Sequence, residues 1–258
     1  MTTTALADDL TFHPARSTGV ASAAPLLLVL PGGSYEHHAS HEGETIAEWL
    51  AELGLNALVV TYPVDPNRFP AALQRVQQVL AGAREGTLEL PGEIDTARIG
   101  VVGFSAGGHV AALLSTGVAA APASAASRPD LAVLAYPVIS MAHEPHTKSQ
   151  ASLLGEDNTL VNRRSLSAEY LVDGNTPPTF LWHTADDGGV PVSHSLRYAS
   201  ALAAHNVPFD LHVFERGDHG RGLGFGVGPL EAWSGLCEAW LRQRGWLSAE
   251  HPANQSGS

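Results

Sequence analysis

Ser105 lies in the stretch Gly103-Phe104-Ser105-Ala106-Gly107, directly after a short apolar run. A serine in a G-x-S-x-G pattern occupies a sharp turn between a strand and a helix, which raises its hydroxyl above the sheet edge. The flanking glycines permit backbone angles that other residues resist. Such a hydroxyl can attack a carbonyl carbon if a neutral imidazole removes its proton. The pattern therefore predicts a nucleophile at Ser105, with close packing of small residues as the structural alternative.

The remaining members of such a site are a histidine and a carboxylate. His219 is the candidate base because it lies in a glycine-rich stretch after the last apolar run; we expect most of the 13 histidines to be structural or exposed. The carboxylate must orient the imidazole, and Asp186 and Asp187 compete for that role. We favour Asp187 because the flexible pair Gly188-Gly189 follows it directly and lets the chain turn away. Asp186 is expected to brace the turn.

Backbone N–H groups near the serine could form an oxyanion hole for the negative charge that develops during attack. The candidate donors are the N–H of Ala106, beside the nucleophile, and those of Gly33 and Ser34 in an early glycine loop. A loop in that place commonly supplies the second donor, and one donor stabilises the transition state by about 2.7–4 kcal/mol. The alternative is a tight turn without a ligand. We expect Tyr35, next in the loop, to contact the substrate.

Three histidines in the same loop, His37, His38 and His41, suggest a metal site as an alternative. No adjacent cysteine or carboxylate set completes a zinc signature, and a serine, histidine and acid mechanism requires no metal. We therefore predict no metal and no cofactor. These histidines are expected to be exposed, or to lie at the rim of the site with Glu42.

The elements that must position these residues alternate between strand and helix. Apolar runs predict strands at 26–30, 57–60, 99–104, 131–136, 179–183 and 209–214, and helical spacing predicts helices at 44–53, 71–83, 109–115, 193–204 and 233–244. This alternation predicts an α/β fold with a mainly parallel sheet and helices on both faces. Chemistry in such sheets lies at the carboxyl ends of strands, where all three candidate segments fall. The order serine, acid, histidine is that of an α/β-hydrolase sheet.

Charge and composition restrict the partners of the chain. Its 258 residues include 14 Lys and Arg against 26 Asp and Glu, for a formal net charge of −12. This balance disfavours nucleic acid and anionic membrane surfaces as partners. A small neutral molecule is easier to reconcile with it. The single cysteine, Cys237, excludes an intrachain disulfide and is expected to lie in the core on the terminal helix.

The termini and linkers define the expected domain organisation. We expect an N-terminal extension at 1–24, one domain at 25–247 with a cap or loop over the site at 141–175, and a flexible tail at 248–258. The N-terminus lacks the basic start and apolar core of a signal peptide, and no apolar run approaches the ~20 residues of a membrane helix. A cytoplasmic protein without a membrane partner is the expectation.

Seven segments together carry a resemblance to a known family: PGGSY with HHASHEGE, GFSAGGH, LAYPVISM, LLGED, TPPTFLWHTADDGGVPVSHSL and FERGDHG. In this order, over residues 26–246, the sequence resembles small bacterial α/β-hydrolase esterases known as acetylxylan or acetyl esterases. These are relatives of prolyl-oligopeptidase-like and feruloyl-esterase-like hydrolases. Related hydrolases often carry H-G-G-G where this chain has Pro-Gly-Gly-Ser at 31–34.

The resemblance implies a catalytic triad of Ser105, Asp187 and His219, because the acid of the family is the aspartate of a D-x-x-V-P pattern. Asp187 begins that pattern and Asp186 does not fit it. The resemblance also implies removal of short acyl groups, typically acetyl, from sugar hydroxyls, with acetylated xylo-oligosaccharides or related sugars as the expected substrates.

Two other functions remain open at this point. An amide-cleaving hydrolase, such as an aryl formamidase or a small peptidase, could use the same three residues. A non-catalytic binding module on the same fold is disfavoured because nucleophile, acid, base and oxyanion loop are all present. Hydrolysis of 4-nitrophenyl acetate separates the binding module from the enzymes, and a panel of esters and amides separates the two enzymes.

Overall fold

The computed structural model describes residues 6–16, 23–119, 121–122 and 124–247. Within them, seven strands form one sheet in the spatial order β1-β3-β2-β4-β5-β6-β7. The strands are β1 (Leu10–His13), β2 (Ala24–Leu30), β3 (Asn56–Val60), β4 (Ile94–Phe104), β5 (Ala132–Ala135), β6 (Thr179–Thr184) and β7 (Phe209–Phe214). All neighbouring pairs are parallel except β1 with β3.

Helices cover both faces of this sheet. They are α1 (Glu44–Glu52), α2 (Ala71–Glu85), α3 (Ser105–Thr116), α4 (Thr147–Leu154), α5 (Leu160–Ser165), α6 (Ser193–Ala204) and α7 (Ala232–Gln243). In the described part of the chain, two hydrophobic cores result. The first lies between the sheet and helices α2, α3 and α6, and the second lies between the opposite face of the sheet and helices α1 and α7. Along β2, Leu26 and Leu28 enter the first core and Leu27 and Val29 the second. Because successive side chains point to opposite faces, a strand covered on both is continuously apolar. The predicted mainly parallel sheet with helices on both faces is confirmed.

The turn at Ser105 is shorter than the sequence predicts. Helix α3 begins at Ser105 instead of residue 109, and β4 begins at Ile94 instead of residue 99. The chain changes from strand to helix at a single residue, because Ser105 takes a φ of 51° between them. The carboxyl end of β4 lies beside those of its neighbours, with Leu30 opposite Gly103 and Phe104 opposite Ala135. Loops leaving these ends therefore meet above Ser105.

The N-terminal segment contributes an edge strand. Within the expected extension 1–24, residues Leu10–His13 pair antiparallel with β3 and cover its outer edge. Leu10 is buried and Phe12 packs on the same core. The signal is weak in the sequence because only these two side chains of the strand are apolar. Residues 1–5 and 17–22 of the extension, and the predicted flexible tail 248–258, lie outside the described residues.

The segment 141–175 contains two short helices, α4 and α5, that the sequence analysis does not predict. Leu153 and Leu154 of α4 are buried in the first core. The carbonyl of Leu153 accepts a hydrogen bond of 3.0 Å from the N–H of Phe69. The segment is therefore packed firmly on the body of the protein.

Two further expectations concern single features of the fold. Cys237 is fully buried on α7, and burial raises the pKa of its thiol well above the ordinary value. It is a core residue, as expected. Among the helices that the described residues form, none has the length and apolar character needed to cross a membrane.

Candidate active site

Ser105 stands at the junction of β4 and α3 because glycines let other backbone segments approach it. A Cβ on Gly107 would lie 2.1 Å from the carbonyl oxygen of Leu30, and one on Gly103 would lie 2.5 Å from that of Gly107. Neither distance is sterically allowed, so only glycine fits at these two positions. A positive φ at a non-glycine residue costs energy, and such strain often marks a functional site. The glycines thus permit the sharp turn at which Ser105 lies.

The structure brings Ser105, His219 and Asp187 together. Oγ of Ser105 lies 2.8 Å from Nε2 of His219, and Nδ1 of His219 lies 2.7 Å from Oδ2 of Asp187. The carboxylate can only accept, so Nδ1 carries the proton and Nε2 is free to accept from the serine hydroxyl. Ser105 is 5% exposed, and 23% of the His219 side chain is exposed. A substrate can therefore reach the imidazole edge while the rest of the array is shielded.

Asp187 is held as an ionised carboxylate. Its Oδ1 accepts hydrogen bonds of 2.8 Å from the N–H groups of Gly189 and Val190. Nε2 of the buried His183 lies 3.4 Å from Oδ2. Burial raises the pKa of this carboxyl, but the hydrogen bonds from His183, His219 and the backbone outweigh burial and hold the pKa well below its usual range. Because the carboxylate stays charged, it can stabilise an imidazolium at His219.

Asp186 has a different place. Its exposed carboxylate accepts a hydrogen bond of 2.8 Å from the N–H of Gly217, two residues before His219. It thereby braces the histidine loop from outside. Gly189 lies directly against the imidazole, since a Cβ there would lie 2.9 Å from Cγ of His219. The two adjacent aspartates thus face different partners, one the imidazole and the other the loop backbone.

The early glycine loop presents free N–H groups near the serine. Gly33, Ser34 and Tyr35 have φ values of 130°, 62° and 61°. Successive N–H groups in such a conformation form a concavity that binds anions. The carbonyl of Gly33 accepts from the N–H groups of Glu36 and His37, but no described residue accepts from the N–H of Gly33 or Ser34.

The third predicted donor lies across from this loop. The N–H of Ala106 belongs to the first turn of α3, where N–H groups have no partner within the helix. Gly32 lies tightly against Ser105, because a Cβ on it would lie 2.9 Å from Cβ of that serine. The arrangement leaves donors of both segments available to an oxygen bound next to Ser105.

Tyr35, the residue of this loop that we expect to contact the substrate, makes its side-chain contacts inside the protein. Tyr35 is 2% exposed, and its hydroxyl lies 2.7 Å from Nδ1 of His109. Nε2 of His109 donates to the carbonyl of Leu166 at 2.7 Å, so Nδ1 accepts from the tyrosine. Burial lowers the pKa of His109 to about 4, which keeps this ring neutral. Tyr35 therefore supports the loop from beneath.

The histidines of the early loop and Glu42 lie in different surroundings. Nε2 of the exposed His41 bonds to the carbonyl of Gly220 at 2.8 Å, and His38 packs edge-on to Tyr62. In the part of the chain that the structure describes, no three His, Cys, Asp or Glu side chains are grouped so that they could hold a metal ion. Glu42 is 2% exposed, so it lies beneath the site and not at its rim.

His146 is a neighbour of His219 that the sequence does not predict. Its ring stacks at 26° to that of His219, with 6.4 Å between the ring centroids. Nδ1 lies 2.8 Å from Oγ of Ser149 in α4. Burial, and then the neighbouring His219, lower the pKa of His146. The segment 141–175 therefore reaches the mouth of the site, although nothing in the stretch around residue 146 marks it in the sequence.

The chain is similar to known proteins in sequence and in fold. The model of the family described as BD-FAE matches residues 13–202. The crystal structure of an acetyl ester-xyloside bifunctional hydrolase from Caldicellulosiruptor lactoaceticus superposes with a TM-score of 0.84 at 40% identity, covering 93% of this chain and 89% of that chain. The predicted α/β-hydrolase fold and the resemblance to acetyl esterases are thereby confirmed.

Two curated relatives extend the comparison. Endo-1,4-beta-xylanase B of Butyrivibrio fibrisolvens is 35% identical over an alignment of 204 residues, and the match covers 75% of this chain and 32% of that protein. Acetylxylan esterase of Xylanibacter ruminicola is 31% identical over an alignment of 202 residues, and the match covers 76% of this chain and 40% of that protein. The chain thus spans about a third of the length of the first relative and two fifths of the second.

Proposed function

This chain belongs to the BD-FAE family, and on that premise we propose that it is a serine esterase that removes short acyl groups, acetyl above all, from sugar hydroxyls. The observation that carries the proposal is the continuous hydrogen-bonded series from Ser105 through His219 to Asp187, at 2.8 and 2.7 Å. Its small-molecule partner is an acylated sugar, with acetylated xylo-oligosaccharides as the first candidates.

In the first half of the reaction, Oγ of Ser105 attacks the carbonyl carbon of the ester while Nε2 of His219 takes the hydroxyl proton. The carbonyl oxygen becomes an oxyanion, which accepts hydrogen bonds from the N–H of Ala106 and from those of Gly33 and Ser34. Asp187 stabilises the imidazolium that forms. When the intermediate collapses, the bond to the sugar oxygen breaks, and that oxygen takes the proton from Nε2. The acyl group then remains on Ser105.

In the second half, a water molecule replaces the sugar. His219 removes a proton from this water, whose oxygen attacks the acyl carbon, and the same N–H groups again stabilise the oxyanion. Collapse breaks the bond to Oγ of Ser105, which recovers its proton from Nε2. The products are the free carboxylic acid and the regenerated enzyme, so no cofactor or metal takes part.

The names of the similar proteins support the acetylated sugar as substrate. One relative is called an acetylxylan esterase, and the similar crystal structure is that of an acetyl ester-xyloside hydrolase. His146 supports the same assignment from the chain itself, because its ring faces His219 from the segment 141–175. A polar ring at that place could hydrogen-bond a hydroxyl of the departing sugar.

A substrate panel tests this proposal. The purified chain is assayed with 4-nitrophenyl acetate, acetylated xylo-oligosaccharides, formylated anilines and short peptides. We expect acetate release from the aryl ester and from the acetylated sugars, with higher kcat/KM on the sugars than on either amide. Amide cleavage without acetate release would replace the esterase by an amide hydrolase. No turnover of any compound would point to a binding module.

A further inference from the structure

Glu42 is a buried carboxylate that the mechanism above does not use. It is 2% exposed, and both oxygens accept hydrogen bonds: Oε2 from the N–H of Gly32 at 2.8 Å and Oε1 from the hydroxyl of Tyr136 at 2.6 Å. Its only ion-pair contact among the described residues is Nε2 of His41, 3.8 Å from Oε1. A buried charge without a strong counter-charge is costly. The groups bonded to each oxygen of Glu42 indicate why a carboxylate is placed there.

The first oxygen holds the oxyanion loop. Gly32 lies between Glu42 and the nucleophile, since a Cβ on it would lie 2.6 Å from Oε2 of Glu42 and 2.9 Å from Cβ of Ser105. The N–H groups that follow in the chain are those of Gly33 and Ser34. The bond to the Gly32 N–H therefore restrains the chain directly before these two donors.

The second oxygen holds the histidine loop. The hydroxyl of Tyr136 donates to Glu42 and accepts a hydrogen bond of 2.9 Å from the N–H of Gly222, three residues after His219. The Tyr136 ring also packs edge-on to His219, with 5.0 Å between centroids. Burial, followed by the charge of Glu42, keeps the pKa of Tyr136 far above its ordinary value, so the hydroxyl stays a donor.

We propose that Glu42 is a positioning residue that fixes the oxyanion loop and the histidine loop relative to each other through one carboxylate. This inference rests on the proposed esterase function. A carboxylate suits the place because it accepts at both oxygens and donates at neither. Glutamine at this position would keep the bond from Gly32 through its amide oxygen, but its NH₂ group would face the Tyr136 hydroxyl, whose proton would lose its acceptor. The N–H groups of Gly33 and Ser34 and the imidazole of His219 would then no longer be held in place relative to each other.

Four variants test the inference: Glu42→Gln, Tyr136→Phe, the double variant, and Glu44→Gln as a matched control. Glu44 is exposed and lies two residues away. Breaking a buried hydrogen bond to a charged group should lower kcat on 4-nitrophenyl acetate roughly 10- to 100-fold in either single variant, with KM nearly unchanged. Fluorophosphonate labelling of Ser105 should slow in parallel, because the phosphonyl oxygen occupies the same oxyanion position.

The double variant distinguishes one shared role of Glu42 and Tyr136 from two independent roles. If Glu42 acts through Tyr136, the double variant is about as slow as the slower single variant. Multiplied losses, or wild-type kcat in both single variants, would overturn the inference. If Glu42→Gln does not fold, Tyr136→Phe decides alone, since it keeps the ring and removes both hydroxyl bonds. A wild-type chain that neither hydrolyses esters nor reacts with the label would refute the esterase proposal instead.

Discussion

Replacing Asp187 by Asn tests how the acid orients the base. The two backbone N–H groups on Oδ1, at 2.8 Å each, require an acceptor at that position. The asparagine must therefore place its carbonyl oxygen there and its NH₂ group 2.7 Å from Nδ1 of His219, where Oδ2 now lies. An N–H donor at that place forces Nδ1 to accept and moves the imidazole proton to Nε2. The histidine then cannot take the proton of Ser105.

The expected loss follows from this change of tautomer. A carboxylate-to-amide change that inverts the tautomer in a serine triad lowers kcat by about 10⁴, or about 5.5 kcal/mol in activation free energy. Asp186→Asn is the matched control. Its oxygen accepts from the N–H of Gly217 and faces solvent, and an asparagine oxygen can still accept that bond. We expect little change in kcat for that variant.

The assay is steady-state hydrolysis of 4-nitrophenyl acetate at neutral pH, with circular dichroism to verify that each variant is folded. Fluorophosphonate labelling of Ser105 should fall together with kcat in Asp187→Asn. Equal losses in the two variants would show that the carboxylates act through the fold and not through the imidazole. A larger loss in Asp186→Asn would make Asp186 the acid and refute the reasoning.

Three further predictions concern the acyl pocket, His146 and the charge of Asp187. Acetyl esters should be hydrolysed faster than butyryl esters, by roughly 10- to 200-fold in kcat/KM, and octanoyl esters hardly at all; a preference for octanoyl would contradict a short pocket. His146→Ala should raise KM for acetylated xylo-oligosaccharides by about 5- to 10-fold, the worth of one hydrogen bond, and spare 4-nitrophenyl acetate. The exposed His143→Ala is its control, and equal effects of His146→Ala on both substrates would exclude a sugar contact. Because the native pKa of Asp187 is lowered, its carboxylate should stabilise the fold above pH ~4 and lose that contribution as the pH falls further. Urea unfolding of wild type and Asp187→Asn should therefore differ most at neutral pH, and a difference that grows on acidification would contradict the shift.

The strands whose two faces are both buried can be predicted from the sequence, because such a strand is a continuous apolar run. The helices that cover these strands can be predicted from the helical spacing of their apolar residues. The edge strand β1 cannot be predicted in this way, since it pairs with β3 along one edge and contains only Leu10 and Phe12 as apolar residues. Helices α4 and α5 cannot be predicted in this way because both are short: α4 packs on the body through a few residues such as Leu153, and α5 buries none of its residues. Short elements held by tertiary contacts leave little periodicity in the sequence.

The residues of the candidate site divide in the same way, into those with a local sequence pattern and those that depend on contacts across the fold. Ser105, Asp187 and His219 can be predicted because glycine patterns at strand ends accompany each of them. The place of Tyr35 in the loop predicts a substrate contact, but its burial and its bond to His109 depend on the fold and leave no local signal. His146 and Glu42 depend on contacts across the fold, to His219 and to Tyr136, which no local pattern records.

The most direct test of the central proposal is to map where a fluorophosphonate reacts. The purified chain is labelled, digested and analysed by mass spectrometry, beside Ser105→Ala. We predict one adduct, on Ser105, that abolishes ester hydrolysis, and a loss of about 10⁶ in kcat with no adduct in the folded Ser105→Ala variant. An inactivating adduct on another residue, or wild-type hydrolysis by Ser105→Ala, would contradict the account.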